Sequence, residues 1–410
     1  MKLAFVVQRY GKEVDGGAEL LCRRLATRLA NTHEIEVLTT CAIDYMTWAN
    51  EYPEGMVDVD GVPVRRFRVD RPRDIKDFNA FSLKIFGADH TIEQEIEWMK
   101  KQGPYSTELF EFLKRKRASY DLFVFFTYLY CTTFFGLQIA SERAVLVPTA
   151  HDEPPIRLDI FKKVFHLPRG IIYLTPEEQR FIVSKFHNDH IPSIVGGLGF
   201  DPDLTADESR FVHKVKLEDP YVLYVGRIDE SKGCRTLFEQ FIKYKLDHPS
   251  RLKLVLLGKP VMRLPDSPDI IWAGFGTQED KFDAMKGSSA VIMPSQYESF
   301  SIATLESWLT GKVVLVNGTS EVLKGHCLRS NGGLFYGDYE EFEAALELIL
   351  NDKDLARRLG ENGKNYVLRN YSWPAVEGKY NHFLRQVASC SQHGVADQQE
   401  TNESQQVHHP

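Results

Sequence analysis

The sequence predicts an α/β protein built from two doubly wound, Rossmann-like domains. Three observations predict it: a length of 410 residues, short apolar runs alternating with helical patterns in both halves, and a polar break between the halves. At roughly 150 residues per domain the length favours two or three domains, and two fit the two series of elements. Strands that alternate with helices are the mark of parallel sheets wound with helices.

In the first half, strands are predicted over 2–8, 34–40, 62–69, 121–126, 144–149 and 170–174. Helices are predicted over 18–30, 92–101, 108–117 and 176–186. The segment 201–219 holds few large apolar residues and contains Asp-Pro and Pro-Asp steps, so the domain linker is placed there. A second series follows: strand 221–225, helix 235–245, strands 252–257 and 270–273, helix 279–286, strand 290–293, helix 302–310 and strand 313–316. The resulting domains cover 1–200 and 201–373, and a helix over 374–390 is expected to return to the N-terminal domain. Residues 391–410 are rich in Gln, Ser and His without apolar periodicity and read as a disordered tail. Ligands of open sheets bind beyond the carboxyl ends of the strands, so two such domains facing across a cleft would line it with strand-to-helix loops.

Composition narrows the classes of function. Apolar residues make up 43% and charged residues 26%, enough to build cores. A net charge of -7 offers no global field for nucleic acid, and no nucleic-acid partner is expected. The six cysteines are scattered without zinc spacing and read as reduced thiols. The opening apolar run 3–7 is too short for a secretion signal, so a cytoplasmic location is expected. The uncharged stretch 122–140 has the length of a membrane span, but its polar interruptions and its opening Leu-Phe-Val-Phe-Phe suit a buried strand and a helix.

The loops after the strands carry the chemistry. Gly226-Arg227 follows one strand and Lys232-Gly233 opens the next helix, which sets two cations beside unpaired backbone N–H groups. That combination suits a phosphate. Taken alone it is equally a solvated loop whose cations answer Asp229 and Glu230. Glu298-Ser299-Phe300-Ser301-Ile302 then leads into a helix that carries Glu306. Very roughly 10 to 15 Å separates two carboxylates at that spacing, the reach of a nucleoside diphosphate sugar from ribose to hexose. Singly, each could be a solvated acid.

Together, Gly226-Arg227, Lys232-Gly233, and Glu298 and Glu306 with seven residues between them resemble the C-terminal signature of the family 4 retaining glycosyltransferases (glycosyl transferases group 1), which have the GT-B fold. The likeness extends through 270–275, 290–306 and Asn331-Gly332-Gly333-Leu334. Two N-terminal features match more weakly: Gly16-Gly17-Ala18-Glu19 opening a helix after the first strand, and His151-Asp152-Glu153 after the strand 144–149. Their bland readings are a flexible turn and a solvent-facing histidine.

The resemblance implies transfer of a sugar from a nucleotide diphosphate sugar to a hydroxyl, with retention at the anomeric carbon, in polysaccharide or glycolipid assembly. A glycan or a lipid-linked sugar is the expected acceptor. It also assigns roles: Arg227 and Lys232 on the leaving diphosphate, Glu298 on sugar hydroxyls, Glu306 on the ribose, His151 on the transferred sugar. Gly17 and residues Ser299, Phe300, Ser301 and Ile302 complete the donor site. Two departures stand out. Ser299-Phe300-Ser301 replaces the usual Gly-Phe-Gly, and Gly196-Gly197-Leu198-Gly199 lacks the usual Asn of the interdomain stretch. No cofactor or metal is expected, since Asp58-Val59-Asp60 reads as a turn into a strand rather than a cation site. Two alternatives share the architecture: a nucleotide-sugar epimerase, and a non-catalytic binding subunit. A basic stretch, Arg65, Arg66, Arg68, Arg71, Arg73 and Lys76 with Phe78, Phe81 and Phe86, suggests a peripheral membrane contact on the cytoplasmic face, against the reading that it is paired and packed.

Overall fold

The apolar runs become the central strands of two sheets, in a computed structural model that describes residues 1–202 and 205–405, with side chains to 389. The first sheet has eight strands: β1 (Lys2–Val6), β2 (Glu34–Thr40), β3 (Gly55–Val59), β4 (Val62–Phe67), β5 (Leu122–Phe126), β6 (Ala144–Val147), β7 (Gly170–Tyr173) and β8 (Ser193–Val195). Their order is β3-β4-β2-β1-β5-β6-β7-β8, parallel except for the antiparallel hairpin β3–β4. The second has six parallel strands, β9 (Tyr221–Val225), β10 (Lys253–Leu257), β11 (Ile270–Trp272), β12 (Val291–Met293), β13 (Val314–Asn317) and β14 (Gly333–Tyr336), in the order β11-β10-β9-β12-β13-β14.

Each sheet reverses direction once. In the first, β1 pairs β2 on one side and β5 on the other. In the second, β9 lies between β10 and β12. The crevice beyond the strands opens at such a reversal, where successive helices leave to opposite faces. The loops after β1 and β5, and those after β9 and β12, therefore occupy the ligand-binding positions of their sheets.

The chain divides into two compact units, Met1–Leu198 with Val376–Pro410, and Gly199–Ala375. The sequence-based boundaries lie at 200/201 and 373/374. The expected linker is only partly a linker, because Glu208–Val215 is a helix capped by the Asp207 carboxylate. Its single buried ring, Phe211, is enough because ion pairs do the remaining docking: Arg210 to Asp283 at 2.8 Å and Lys214 to Asp280 at 2.7 Å. The helix that carries the chain back is Trp373–Gln405. Up to 389 it buries Val376, Tyr380, Phe383, Leu384 and Val387, and the Tyr380 hydroxyl donates to the Gly197 carbonyl at 2.9 Å. The tail expected over 391–410 falls on residues whose side chains, and from 406 on whose backbone, lie outside the described residues.

The stretch tested as a membrane span is β5, every residue of which is buried, followed by the helix Cys131–Ala140. Among the described residues no helix is long and apolar enough to cross a membrane. Asp58 and Asp60 belong to the β3–β4 hairpin: Asp60 and Gly61 form its two-residue turn, the Asp58 carboxylate accepts the Gly61 N–H at 2.9 Å, and Asp60 pairs with Lys12 at 2.7 Å. Much of the basic stretch turns inward. Arg65 pairs with Glu36 at 2.7 Å, Arg66 is buried 3.5 Å from the Tyr52 ring centroid, and Arg73 donates to the carbonyls of Met46 and Gln102. Phe78 and Phe81 pack on the core, which leaves Arg68, Arg71, Lys76 and Phe86 at the surface.

Candidate active site

The loop from β9 begins at Gly226-Arg227. The Arg227 guanidinium turns back onto Asp229, which does several jobs at once. Its Oδ1 accepts the Lys232 N–H at 3.0 Å and the Ser231 hydroxyl at 2.6 Å, capping the short 3-10 turn Glu230–Lys232. Burial pushes the Asp229 carboxyl up, but Ser231, Arg227 and the Lys232 N–H outweigh it and hold it below the ordinary range. Gly233 then has φ 73, and a Cβ there would lie 2.3 Å from the Pro294 carbonyl oxygen. Glycine is what lets the loop from β9 lie against the loop from β12.

That contact delivers Lys232 to Glu298. The ammonium and Glu298 Oε1 are 2.7 Å apart, and the Glu298 side chain is only 12% exposed. Beyond it Ser301 takes the left-handed conformation, φ 59, with its hydroxyl 2.9 Å from that of Thr304, as the helix Ile302–Leu309 begins. A serine here carries backbone strain of about 1–2 kcal/mol that glycine would not. The Phe300 carbonyl is held from behind by His326, a fully buried ring whose Nε2 lies 3.1 Å away. Phe300 also stacks on Phe200 and meets Tyr371 edge-on. One turn into the helix, Glu306 is 1% exposed and its Oε2 lies 2.7 Å from Lys281 Nζ.

Arg227, Lys232, Glu298, Ser299, Phe300, Ser301, Ile302 and Glu306 thus gather at the carboxyl ends of β9 and β12, where their sheet reverses. Residues 205–366 match the family described as glycosyl transferases group 1. The match lies within the second unit, Gly199–Ala375. Across 92% of this glycosyltransferase and 96% of the other chain, it is 25% identical to an uncharacterized glycosyltransferase of Methanocaldococcus jannaschii. A capsular polysaccharide biosynthesis glycosyltransferase of Staphylococcus aureus is 23% identical over 42% of this chain and 49% of its own. Among solved structures, Anabaena HepE in complex with UDP and glucose superposes with a TM-score of 0.68 at 15% identity, over 94% of this chain and 100% of that one. The fold is GT-B.

In the N-terminal unit of the glycosyltransferase, Gly16 precedes the helix Gly17–Leu29. Glu19, which the sequence reading quoted only as part of a motif, is buried at the centre of a cluster. Its Oε1 accepts from Gln8 Nε2 at 2.9 Å and from Arg9 Nε at 3.0 Å, and Arg9 also donates to the Asp15 carbonyl at 2.8 Å. A Cβ on Gly16 would lie 2.1 Å from Glu19 Oε2, whereas one on Gly17 would meet nothing within 4 Å. The cluster grips the loop at Asp15 and Gly16 and leaves Gly17 facing open space. The adjacent Gln8-Arg9 and the i+10 acid are the only sequence signal for it.

His151 follows β6 and the left-handed Thr149, φ 50. Its Nδ1 is 3.7 Å from Glu153 Oε1, which accepts the Tyr128 hydroxyl at 2.7 Å. The neighbouring backbone is fixed by a residue the sequence reading passed over. Glu178, buried inside the helix Pro176–Phe186, accepts the Ala150 N–H on Oε1 and the Leu174 N–H on Oε2, each at 2.6 Å. It ties the ends of β6 and β7 together one residue before His151. Burial pushes its carboxyl up to about 8, against the pull of the two N–H donors.

Proposed function

We propose that this glycosyltransferase moves a hexose or related sugar from a nucleotide diphosphate sugar to a hydroxyl of a glycan or lipid-linked acceptor, with retention at the anomeric carbon. The observation that carries the reading is the Lys232–Glu298 pair at the point where the second sheet reverses, beside a helix start and with Glu306 buried in the same helix. A strand-to-helix crevice with two cations and a helix N-terminus is suited to a diphosphate. HepE, of like fold, is bound to UDP and glucose, and the Staphylococcus relative is named for capsular polysaccharide biosynthesis.

In the reaction the bond from the anomeric carbon to the diphosphate oxygen breaks, and the electron pair leaves with the diphosphate. The acceptor oxygen bonds to the same face of that carbon, and its proton passes to the departing diphosphate. Arg227, Lys232 and the N–H groups at Ile302 stabilise the leaving charge, a preorganised electrostatic term that is often the largest in catalysis. Glu298 holds sugar hydroxyls, Glu306 the ribose, and His151 the transferred sugar. Pairing of Lys232 with Glu298 orients both groups before the donor arrives.

Arg227→Ala and Lys232→Ala are expected to fold and to lose two to four orders of magnitude in turnover, roughly the scale of a deleted transition-state charge. Turnover is measured against a panel of nucleotide sugars, and activity within a few-fold of wild type removes the phosphate role. Catalysis is also expected to continue in a chelator, because two side-chain cations and a helix terminus already offset the diphosphate. Activity lost to the chelator and restored by Mg²⁺ or Mn²⁺ reverses that expectation.

A further inference from the structure

We infer that Lys281 is a positioning residue of the donor site, one that sets Glu306 to accept the ribose hydroxyls and so lets the enzyme tell a ribonucleotide from a deoxyribonucleotide. The inference rests on the reading of Glu306 as the ribose ligand. Lys281 lies on the helix Gln278–Gly287, and its ammonium crosses to the next helix to meet Glu306 Oε2 at 2.7 Å. Both side chains are withdrawn from solvent, 15% and 2% exposed.

The pairing is not a local accident of helix spacing, because 25 residues separate the partners. Nor does Lys281 lack acids nearer in sequence. Glu279, Asp280 and Asp283 share its helix, but they are engaged by Arg210 and Lys214 from the helix Glu208–Val215. Lys281 is the cation of that helix that turns to the site. A carboxylate buried to this degree demands a cation, and removing the partner of such a pair leaves an uncompensated charge.

The choice of lysine also matters. An ionised carboxylate offers about four lone-pair positions, and a compact ammonium on one oxygen takes one of them. A guanidinium that forks both oxygens takes two of those positions and fixes the carboxylate's plane, which leaves fewer for ribose hydroxyls. A lysine therefore compensates Glu306 and keeps it usable. Hydroxyls bound by a charged acceptor are discriminated more strongly than those bound by a neutral one, and an analogue that lacks the hydroxyl leaves the acceptor unpaired.

The test measures the affinities of UDP, GDP and ADP, and of their 2′-deoxy and 3′-deoxy forms, by calorimetry. Wild type is expected to prefer the best ribonucleotide over at least one of its deoxy forms by roughly ten- to a hundredfold. In Lys281→Met that ratio is expected to fall below about threefold. Lys281→Arg keeps the charge, and with it the fold, yet is also expected to discriminate less, which a purely charge-compensating role does not foresee. A wild-type ratio in Lys281→Met overturns the inference, and so does one in Lys281→Arg where the methionine variant does not fold. Wild type that binds a nucleotide without preferring the ribose form instead removes the ribose role of Glu306 beneath it, while the Arg227 and Lys232 tests still decide the phosphate role.

Discussion

Gly16 and Gly17 are neighbours with opposite reasons to be glycine. Gly16 has φ 150 and no space for a Cβ beside the Glu19 carboxylate, so Gly16→Ala must move Glu19 off Arg9 and is expected to lower stability. Gly17→Ala meets nothing within 4 Å and places a better helix former at the helix start. It is expected to melt at or above the wild-type temperature and still lose roughly a hundredfold in turnover, because only a bound substrate can be displaced by the new methyl. A Gly17→Ala enzyme with wild-type turnover takes Gly17 out of the site. Ser301 is the complementary case: a serine holds the left-handed conformation and adds the contact with Thr304.

Helices contribute to both units by carrying acids into strand ends. Glu178 is three residues past the N-cap Thr175 of its helix, and its carboxylate reaches the backbone of two loops rather than water. Folded, it titrates near 8; unfolded, near 4.5. Between those values the native state holds a proton that the unfolded chain lacks, so this group stabilises most at low pH and its contribution falls as pH rises through about 8. Urea melts from pH 5 to 9 are expected to show the decline in wild type and to lose that component in Glu178→Gln. An identical slope in the variant assigns the pH dependence to other groups. The helix Glu321–Ser330 plays a comparable part in the second unit, where His326 holds the Phe300 carbonyl ahead of the helix Ile302–Leu309.

At the scale of the whole molecule the chain closes on itself. The N-terminal unit is completed by residues from the far end of the sequence, through Tyr380 on Gly197 and His33 on Asn381 at 2.6 Å. A chain ended at 375 exposes the face that Phe383 and Val387 cover at Gly170, and burial of side chains of that size is worth about 1.5–3 kcal/mol each. The truncated chain is expected to be insoluble or to lose cooperative melting of its N-terminal unit. A chain ended at 389 is expected to melt as wild type does. Limited proteolysis and circular dichroism on both truncations check this, and a well-folded chain ended at 375 contradicts it.

The sequence by itself determined the class of fold and most of its strands, because strands buried on both faces must read as unbroken apolar runs, as β5 and β9 do. It also singled out the loops to which the proposed chemistry is assigned, since cations and acids next to glycine in strand-to-helix loops stand out against an apolar background. Elements that depend on partners were hidden. The helix Glu208–Val215 is polar because Asp280 and Asp283 dock it, and β3 is a short, half-exposed strand at the sheet edge. Only the tertiary structure decided who meets whom: Lys232 with Glu298, Lys281 with Glu306, Arg9 with Glu19, His326 with Phe300. A charge in a sequence has no direction, and its partner is chosen when packing removes the competing water.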